Sequence, residues 1–320
     1  MGDWHHPRRG SLQFWPRKRA TCSIARIRSW AKESKVKPLG FIGYKAGMTH
    51  LQVTENRAKS ITKGEQVFMP ATIIECPPIM IFGVAFYKKE LFGMRKIASV
   101  LAPKLDKELD RQFDLPKKTG KTIDDIKDFD DIRLLVHSTP KNTTIGVKKP
   151  KLMELALGGN KEDKLKYAKE QLGKEVKINE VFDKGNYVDV HGITQGKGFQ
   201  GTVKRYGVPI RQHKAEKTKR GIATLGSWTP KRIEFYVAVP GKMGYHLRTE
   251  YNKQIIKIGT DAVEVSPAGG FGHYGALRNP YLLIKGSVIG PKKRAIVLIP
   301  ATRLDKKATK EAPEITYIHR

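Results

Sequence analysis

Hydrophobic positions along this chain recur in short runs with the alternation of β-strands, and few stretches show the spacing of helices. Glycine or proline separates most of these runs, as at Gly192, Pro240 and Gly259. Many short strands with turn signals between them are typical of a β-barrel or a β-sandwich. After residue 180 the predicted strands are 187–191, 222–225, 233–239, 254–258, 262–265, 281–284 and 295–299.

The region before residue 80 predicts further strands. Residues 39–53 are consistent with a pair of short strands that turn at Gly47, and residues 67–74 predict one strand rich in β-branched side chains. Pro77 and Pro78 then end the pattern. These segments extend the β-rich architecture towards the first third of the chain.

Residues 79–180 predict a mixed α/β insertion. Helical spacing over 106–113 and a strand over 132–136 precede the strongest helix signal, which covers 161–172 and stops at Gly173. An acidic patch lies between them, and since no metal-ligand spacing accompanies it, we expect a solvated helix start rather than a Mg²⁺ site. The patch comprises Asp124, Asp125, Asp128, Asp130 and Asp131.

Residues 1–37 carry ten lysines and arginines and show no sustained period. The segment predicts an extended tail that buries too little surface to fold alone. With a polyanion present, its arginines would pair with phosphates and its aromatic residues Trp4, Phe14, Trp15 and Trp30 would stack on exposed bases.

The charge is strongly positive and uneven. The 320 residues include 61 lysines and arginines against 31 acids, for a net charge of +30. The excess is +10 over 1–70, +5 over 71–180 and +15 over 181–320. This distribution indicates a body that faces nucleic acid and an insertion that faces water or other proteins. No apolar run is long enough to span a membrane, and the two cysteines match no metal site.

The charge is concentrated in the run 194–232, which has ten lysines and arginines against the single acid Glu216, a local charge of +9. Self-repulsion of this size disfavours a compact state. Lysine and arginine that neutralise phosphates release condensed counterions, so a nucleic-acid backbone is the expected partner.

Two segments resemble phosphate-binding loops of enzymes and would favour a different function. Gly196–Gly201 has the letters of a dinucleotide or kinase loop, but we expect no helix after it, and no other kinase motif is present. Thr119–Thr122 resembles the end of a Walker A loop and lacks its first glycine. Both indicate structural turns, so neither a cofactor nor a small-molecule substrate is expected.

The segment 182–205 carries the most specific pattern in the chain. Its constrained positions are Phe182, Asp189, Gly192, Thr194, Gly196, Lys197, Gly198, Gly201 and Arg205. They resemble the signature of the family of the universal third protein of the large ribosomal subunit. Residues 39–49 resemble the first barrel strands of that family, and residues 7–20 resemble its archaeal and eukaryotic form.

The resemblance implies a mainly β fold: a closed six-stranded β-barrel of the translation-protein type with an α/β insertion, a long basic internal loop and an extended N-terminal tail. The expected division is a tail at 1–37, a barrel at 38–78 and 181–320 with a loop at about 206–253, and an insertion at 79–180. Residues 226–230 resemble a tryptophan finger near the peptidyl transferase centre. Residues 211–220 resemble a basic thumb, in which Lys219 replaces the histidine of eukaryotic relatives.

We therefore expect a non-catalytic, cytoplasmic constituent of the large ribosomal subunit that binds 23S rRNA near its 3′ end and nucleates assembly. Expected protein neighbours, from the resemblance, are ribosomal protein fourteen and the archaeal twenty-four-e protein. The alternatives are a sequence-specific DNA-binding protein, or an enzyme that uses the Gly196–Gly201 loop. The predicted rRNA-binding residues are Arg8, Arg9, Arg17, Lys18, Arg19, Lys45, Lys197, Lys204, Arg205, Arg211, Lys214, Lys217, Lys219, Arg220, Trp228, Lys231 and Arg232.

Overall fold

The computed structural model describes residues 8–57, 59–116, 120, 122–305, 308–309 and 311–320. The chain is mainly β, as predicted. The strands are β1 (Phe41–Thr54), β2 (Gln66–Glu75), β3 (Ile79–Glu90), β4 (Gly93–Leu101), β5 (Asp131–His137), β6 (Leu152–Ala156), β7 (Glu175–Val176), β8 (Tyr187–Ile193), β9 (Phe199–Gln200), β10 (Gly241–Lys242), β11 (Leu247–Gly259), β12 (Tyr281–Lys285), β13 (Ala295–Pro300) and β14 (Glu314–Ile318). The helices are α1 (Lys161–Gln171), α2 (Ile178–Val181) and α3 (Thr202–Tyr206), and short 3₁₀ turns lie at Lys107–Arg111, Pro140–Asn142 and Ala262–Glu264.

Six strands pair in a ring. Their order is β13, β8, β11, β12, β2 and β1, and β1 pairs in turn with β13. The length of β1 makes this possible, because its start pairs with β13 from Phe41 opposite Leu298, while its end pairs with β14 from Leu51 opposite Ile318. Side chains that alternate along these strands pack into one apolar cluster, in which Phe41, Leu51 and Leu298 are fully buried.

The predicted turn at Gly47 is wrong. β1 runs through this position without reversing, with a shift of register between Lys45 and Gly47. A Cβ atom at Gly47 would lie 2.9 Å from Cδ1 of Phe271, so the glycine serves close packing and not a change of direction.

Three predicted strands are absent from the described structure. Residues 222–225 and 233–239 form turns and irregular backbone, and residues 262–264 form a 3₁₀ turn. Their β-branched side chains favour extended backbone, yet a strand also needs a neighbour with which to exchange hydrogen bonds. The predicted strands 187–191, 254–258, 281–284 and 295–299 lie in the ring and have such neighbours.

The insertion forms a second sheet in the order β4, β3, β5 and β6, with β7 also paired to β3. The predicted helix is confirmed as α1, and Gly173 follows it with a φ of +81°. The acidic patch begins no helix, contrary to expectation. Asp124 and Asp125 lie in a turn and Asp131 begins β5, and two of the patch's carboxylates pair with lysines of α1: Asp124 with Lys169, and Asp131 with Lys164 at 2.8 Å. Of the Walker-like turn, Thr119 and Lys121 lie outside the described residues.

The chain divides into two compact units. The β unit comprises residues 23–192 and 248–320 and holds the ring and the second sheet, whereas the short β9–β10 pair lies in the other unit. The basic unit comprises residues 1–22, of which 1–7 lie outside the described residues, and residues 193–247. The N-terminal segment is thus shared, because Ile24, Ile27 and Trp30 pack against the apolar cluster of the β unit.

Candidate nucleic-acid interface

The basic unit has sixteen lysines and arginines and three acids in its sequence. Among the described residues, every ion pair joins two side chains of the β unit. The cations of the basic unit therefore keep their charge uncompensated by neighbouring carboxylates. Such a unit attracts polyanions strongly at low ionic strength.

The glycine-rich turn of the basic unit is fixed by its backbone. The amide of Lys197 donates to the carbonyl oxygen of Met243 at 2.9 Å, and the amide of Met243 donates to Gly198 at 2.8 Å. Gly244, with a φ of +76°, sits so close that a Cβ atom would lie 2.0 Å from the carbonyl oxygen of Gln195. Only glycine fits there, so the turn holds Lys197 in a defined backbone frame.

A short helix does follow the glycine-rich turn, and the expectation that none would is wrong. α3 has five residues and ends at Gly207, which is left-handed with a φ of +67°. Thr202 at its start donates through Oγ1 to the carbonyl oxygen of Arg220 at 3.0 Å. β9, the strand before it, pairs antiparallel with β10, whereas a dinucleotide fold requires a parallel strand–helix–strand unit. The phosphate-loop alternative gains no support.

Stacked aromatic and arginine side chains join the N-terminal segment to the internal loop within the basic unit. The rings of Trp15 and Tyr206 stack with centroids 5.8 Å apart, and Phe235 meets Trp15 edge-on at 6.1 Å. The guanidinium carbons of Arg17 and Arg205 lie 4.3 and 5.1 Å from the Tyr206 centroid. Cation–π contacts of this kind stabilise without any acidic partner.

Hydrogen bonds to backbone carbonyl oxygens join the same two segments near that stack. Ala20 donates from its amide to the carbonyl oxygen of Tyr245 at 2.8 Å, and Nδ1 of His246 lies 2.9 Å from the carbonyl oxygen of Lys18. Arg8 donates to the carbonyl oxygen of Tyr236 at 2.9 Å. The sequence predicted a tail and a loop that each lack a core. The structure shows that each supplies part of the other's packing.

Most of the predicted rRNA-binding residues are exposed cations of the basic unit. Trp228 is also exposed, with 83% of its surface accessible, and Nζ of Lys231 lies 5.8 Å from its centroid. The exposed cations are Arg8, Arg9, Lys18, Arg19, Lys197, Lys204, Lys214, Lys217, Lys219, Arg220, Lys231 and Arg232.

Four predicted binding residues are half-buried and donate to the protein's own carbonyl groups. Three are arginines of the basic unit, and the fourth is Lys45 of the β unit. In the basic unit, Arg205 donates to Val239 at 2.8 Å and to Lys242 at 3.2 Å. Arg17 donates to the carbonyl oxygen of Arg205 at 3.1 Å, and Arg211 donates to that of Ile222. These arginines hold backbone in place as well as carrying charge.

Lys45 belongs to the β unit and differs from the other predicted cations. Its ammonium donates to the carbonyl oxygen of Val288 and, at 3.0 Å, to that of Gly290. Burial lowers the pKa of Lys45, and the nearby Glu250 carboxylate opposes that shift. Lys45 thus belongs to a different unit from the other predicted binding residues.

Sequence reasoning missed several exposed groups of the basic unit. Phe199 and Phe235 expose 72% and 69% of their surface, and Lys242 is exposed beside Phe199 in the β9–β10 pair. The available signal was an aromatic residue set among glycines and cations, a pattern that suits base stacking. Together with Trp228, these rings add flat apolar surfaces to a cationic unit.

The first residues of the family-like pattern at 182–205 stabilise the fold of the β unit. Oδ1 of Asp189 accepts from the amide of Asn252 at 2.9 Å, and Oδ2 accepts from the amide and hydroxyl of Thr302 at 2.9 and 2.8 Å. Phe182 is buried in the apolar cluster. The first half of the pattern therefore holds the β unit together, and the second half shapes the turn at Gly196–Gly201.

The described residues contain no cluster of three or more metal-ligating side chains, and no helix among them has the length and apolarity to cross a bilayer. The basic unit's described helix α3 is a single turn, so it offers no recognition helix for a DNA groove. The chemistry that the unit does offer is unpaired positive charge, exposed aromatic rings and a fixed glycine-rich turn. These are the elements of single-strand and backbone recognition in RNA.

The family of ribosomal protein L3 matches residues 1–319 of the chain. This chain belongs to the ribosomal protein L3 family. The L3 family member described here is 48% identical to the large ribosomal subunit protein uL3 of Methanocaldococcus jannaschii, over 98% of this chain and 96% of that protein. It is 44% identical to the proteins of the same name from Methanobrevibacter smithii and Methanococcus aeolicus, with the same coverage. The family consists of ribosomal proteins and not of enzymes, so the resemblance and the non-catalytic prediction are confirmed.

Proposed function

We propose that this L3 family member is a structural constituent of the large subunit of cytoplasmic ribosomes and binds 23S rRNA through its basic unit. Relatives that match nearly the whole chain are large-subunit proteins. The observation that carries the proposal is the contrast in charge pairing. Some cations of the β unit pair with carboxylates, whereas the described cations of the basic unit form no ion pair.

The physical basis of binding is counterion release. Each exposed lysine or arginine that contacts a phosphate displaces condensed cations from the RNA, and the affinity then falls as salt rises. Exposed rings such as Trp228, Phe199 and Phe235 supply stacking surfaces that do not depend on salt. The glycine-rich turn fixes the backbone from which the Lys197 side chain extends.

The finer features of the proposal rest on the family resemblance. We propose that the ring of six strands is a closed barrel, that the protein binds near the 3′ end of 23S rRNA, and that it nucleates subunit assembly. The finger at 226–230 would place Trp228 towards the peptidyl transferase centre. Protein neighbours would be ribosomal protein fourteen and the archaeal twenty-four-e protein. The division into a tail, a barrel, a loop and an insertion stays a prediction.

The salt dependence of rRNA affinity tests this proposal. The triple substitution Lys214→Gln, Lys217→Gln and Lys219→Gln should reduce the slope of log affinity against log salt by about 2 to 3, because each phosphate contact contributes about 0.7 to 0.9. Binding of the full chain to a 3′-terminal fragment of 23S rRNA should be measured by filter retention between low and moderate salt. A 5′-terminal fragment of equal length tests the location.

A matched triple substitution on α1 controls for charge alone. Lys161→Gln, Lys166→Gln and Lys169→Gln also remove three exposed cations, but from the insertion. This variant should keep the slope of the parent chain. Equal loss of slope in both triple variants would show non-specific attraction and contradict a dedicated interface in the basic unit.

A further inference from the structure

The turn between β3 and β4 exposes two large apolar side chains next to each other. Leu91 and Phe92 have relative accessibilities of 100% and 104%, so neither packs against the protein. Met94 and Ile97 on β4 are also exposed, at 40% and 46%. A run of exposed apolar residues at one tip is unusual for the surface of a soluble chain and marks a contact site.

The cations of this hairpin are matched in number by nearby carboxylates, in contrast to those of the basic unit. Lys88 pairs with Asp128, and Arg95 pairs with Glu90 at 3.2 Å. Lys96 lies 3.9 Å from Glu154, and Asp130 accepts from the backbone amide of Lys89 at 2.7 Å, although the Lys89 side chain forms no ion pair among the described residues. The Asp128 side chain stays 78% exposed, and so presents negative charge beside the hairpin. An RNA phosphate approaching the tip would meet as many carboxylates as cations, so the tip offers it no net attraction.

The edge of the sheet gives the same indication. β4 lies at one end of the second sheet, and in the described part of the chain it pairs with β3 alone. Arg95 and Lys96 are exposed on this edge strand, and charged side chains there oppose uncontrolled strand pairing. The feature left for a partner to cover is the tip formed by Leu91 and Phe92.

We propose that Leu91 and Phe92 insert into an apolar pocket on a protein neighbour within the large subunit. The inference rests on the proposed function, because it takes membership of the subunit as given. An apolar pocket on a protein matches the chemistry of the tip, because it would bury two hydrophobic anchors whose surrounding charges balance. rRNA and a second copy of this chain are the other occupants that the experiment distinguishes.

Site-specific photocrosslinking provides the test. Benzoylphenylalanine replaces Phe92 in the full chain, and the crosslink is formed in large subunits purified from cells that carry only this variant. We expect an adduct that survives ribonuclease and is removed by protease. The same probe in place of Trp228 serves as the matched control and should yield a ribonuclease-sensitive adduct. A Phe92 adduct to rRNA, an adduct to a second copy of the chain, or no adduct at all would overturn the proposal.

Co-sedimentation separates the two levels of inference. If the chain does not sediment with large subunits, the proposed function fails; if it does and Phe92 crosslinks to RNA, only the hairpin proposal fails.

In a second measurement, the double substitution Leu91→Ser and Phe92→Ser should increase dissociation of the protein neighbour from salt-washed subunits at least about tenfold. Phe92→Leu alone should have little effect. Both variants should keep the melting temperature of the free protein, because the side chains contact nothing in it; unchanged retention of every neighbour would contradict the proposal.

Discussion

The two units of this protein use opposite means to stay folded. The β unit buries a continuous apolar cluster and pairs some of its cations with carboxylates, as Lys164 does with Asp131. The basic unit buries few side chains, and its half-buried arginines, such as Arg17, lie on aromatic rings or donate to carbonyl oxygens instead of pairing with carboxylates. An arginine on a ring is held in place and keeps its full charge. The basic unit is therefore ordered without losing its attraction for phosphate.

The same contrast runs through the sequence pattern at 182–205. Asp189 serves the β unit through three hydrogen bonds, whereas Gly196–Gly201 shapes a turn in the basic unit. A pattern that looks like one functional signature thus has a folding part and a binding part. Substitutions that separate stability from rRNA affinity test this distinction.

The largest effect is expected at Asp189. Asp189→Ala leaves three partly buried donors on Asn252 and Thr302 without their acceptor, and each costs about 1 to 2 kcal/mol. The free energy of unfolding of the β unit should fall by about 3 to 5 kcal/mol, measured by denaturant titration. Asp189→Asn keeps one carbonyl acceptor and should cost about half as much.

The comparison also predicts what Asp189→Ala leaves unchanged. At a temperature where the variant is still folded, the salt dependence of its rRNA affinity should match that of the parent chain. A reduced slope with unaltered stability would move Asp189 from the folding part of the pattern to the binding part.

A smaller and local effect is expected at Gly244. Gly244→Ala combines a left-handed backbone with a Cβ atom 2.0 Å from the Gln195 carbonyl oxygen, at a cost of about 3 kcal/mol. Gly198→Ala is the matched control, because its φ of +69° is similar and nothing lies within 4 Å of the new Cβ. It should cost about 1 kcal/mol.

Hydrogen exchange of two amides measures this pair of variants. The amides of Lys197 and Met243 donate across the turn, so their protection reports its opening. Gly244→Ala should remove much more protection than Gly198→Ala. Equal losses in the two variants would mean that backbone strain alone, and not the close approach to Gln195, fixes the turn.

Much of the β unit could be predicted from the sequence because its signals are local. The alternation of valine with polar residues over 187–191 and the continuous apolar run over 295–299 indicate strands that face a core, and the pattern over 161–172 indicates one face of a helix. Gly47 shows where such reasoning fails. A glycine between two apolar runs is consistent with a turn, and only the approach of Phe271 reveals that it lies inside one strand.

The candidate interface was predictable in its charge and not in its arrangement. Local composition identified the exposed cations, but nothing in it pairs Trp15 with Tyr206 across some 190 residues of sequence. A single pair of stacked rings produces no periodic pattern in the sequence. For the same reason, Lys45 and Arg205 counted as free charges, although each donates to two carbonyl oxygens.

Tyr206 tests whether the stack orders the basic unit. Tyr206→Ala removes the ring that Trp15 and Arg17 contact and should weaken the N-terminal segment's attachment by about 2 kcal/mol. Trypsin cleavage after Arg17, Lys18 and Arg19 should then accelerate by about 30-fold, provided that opening precedes cleavage. The melting transition of the β unit should not change.

Tyr206→Phe supplies the control for this prediction. The Tyr206 hydroxyl is buried and has no hydrogen-bond partner among the described residues, so its removal should leave the cleavage rate unchanged or slower. Equal acceleration in the phenylalanine variant would show that the hydroxyl, and not the ring, is the important group.

The smallest predicted effect is a dependence of the β unit on pH. Burial lowers the pKa of His137 below 6.5, against the hydrogen bond to Ser138 and the charge of Asp106, and burial likewise lowers the pKa of His191, against Asp189. As pH falls below 6.5, the histidines of the unfolded chain bind protons while those of the folded chain stay neutral. The free energy of unfolding, which has its full value above pH 6.5, therefore declines.

The slope of the unfolding free energy between pH 7 and 5 measures this uptake, and each histidine contributes at most about 1.4 kcal/mol per pH unit. His137→Gln should make the slope shallower, whatever its effect on stability at pH 7, because one proton-linked site is gone. His191→Gln should do the same.

The rate of trypsin cleavage after Arg17 tests whether the basic unit shares this pH dependence. After correction for the pH dependence of trypsin itself, the rate should not follow the slope of the unfolding free energy, because both histidines belong to the β unit. If opening of the basic unit tracked the histidine substitutions, the two units would share one folding equilibrium, and their different means of stabilisation would not be independent.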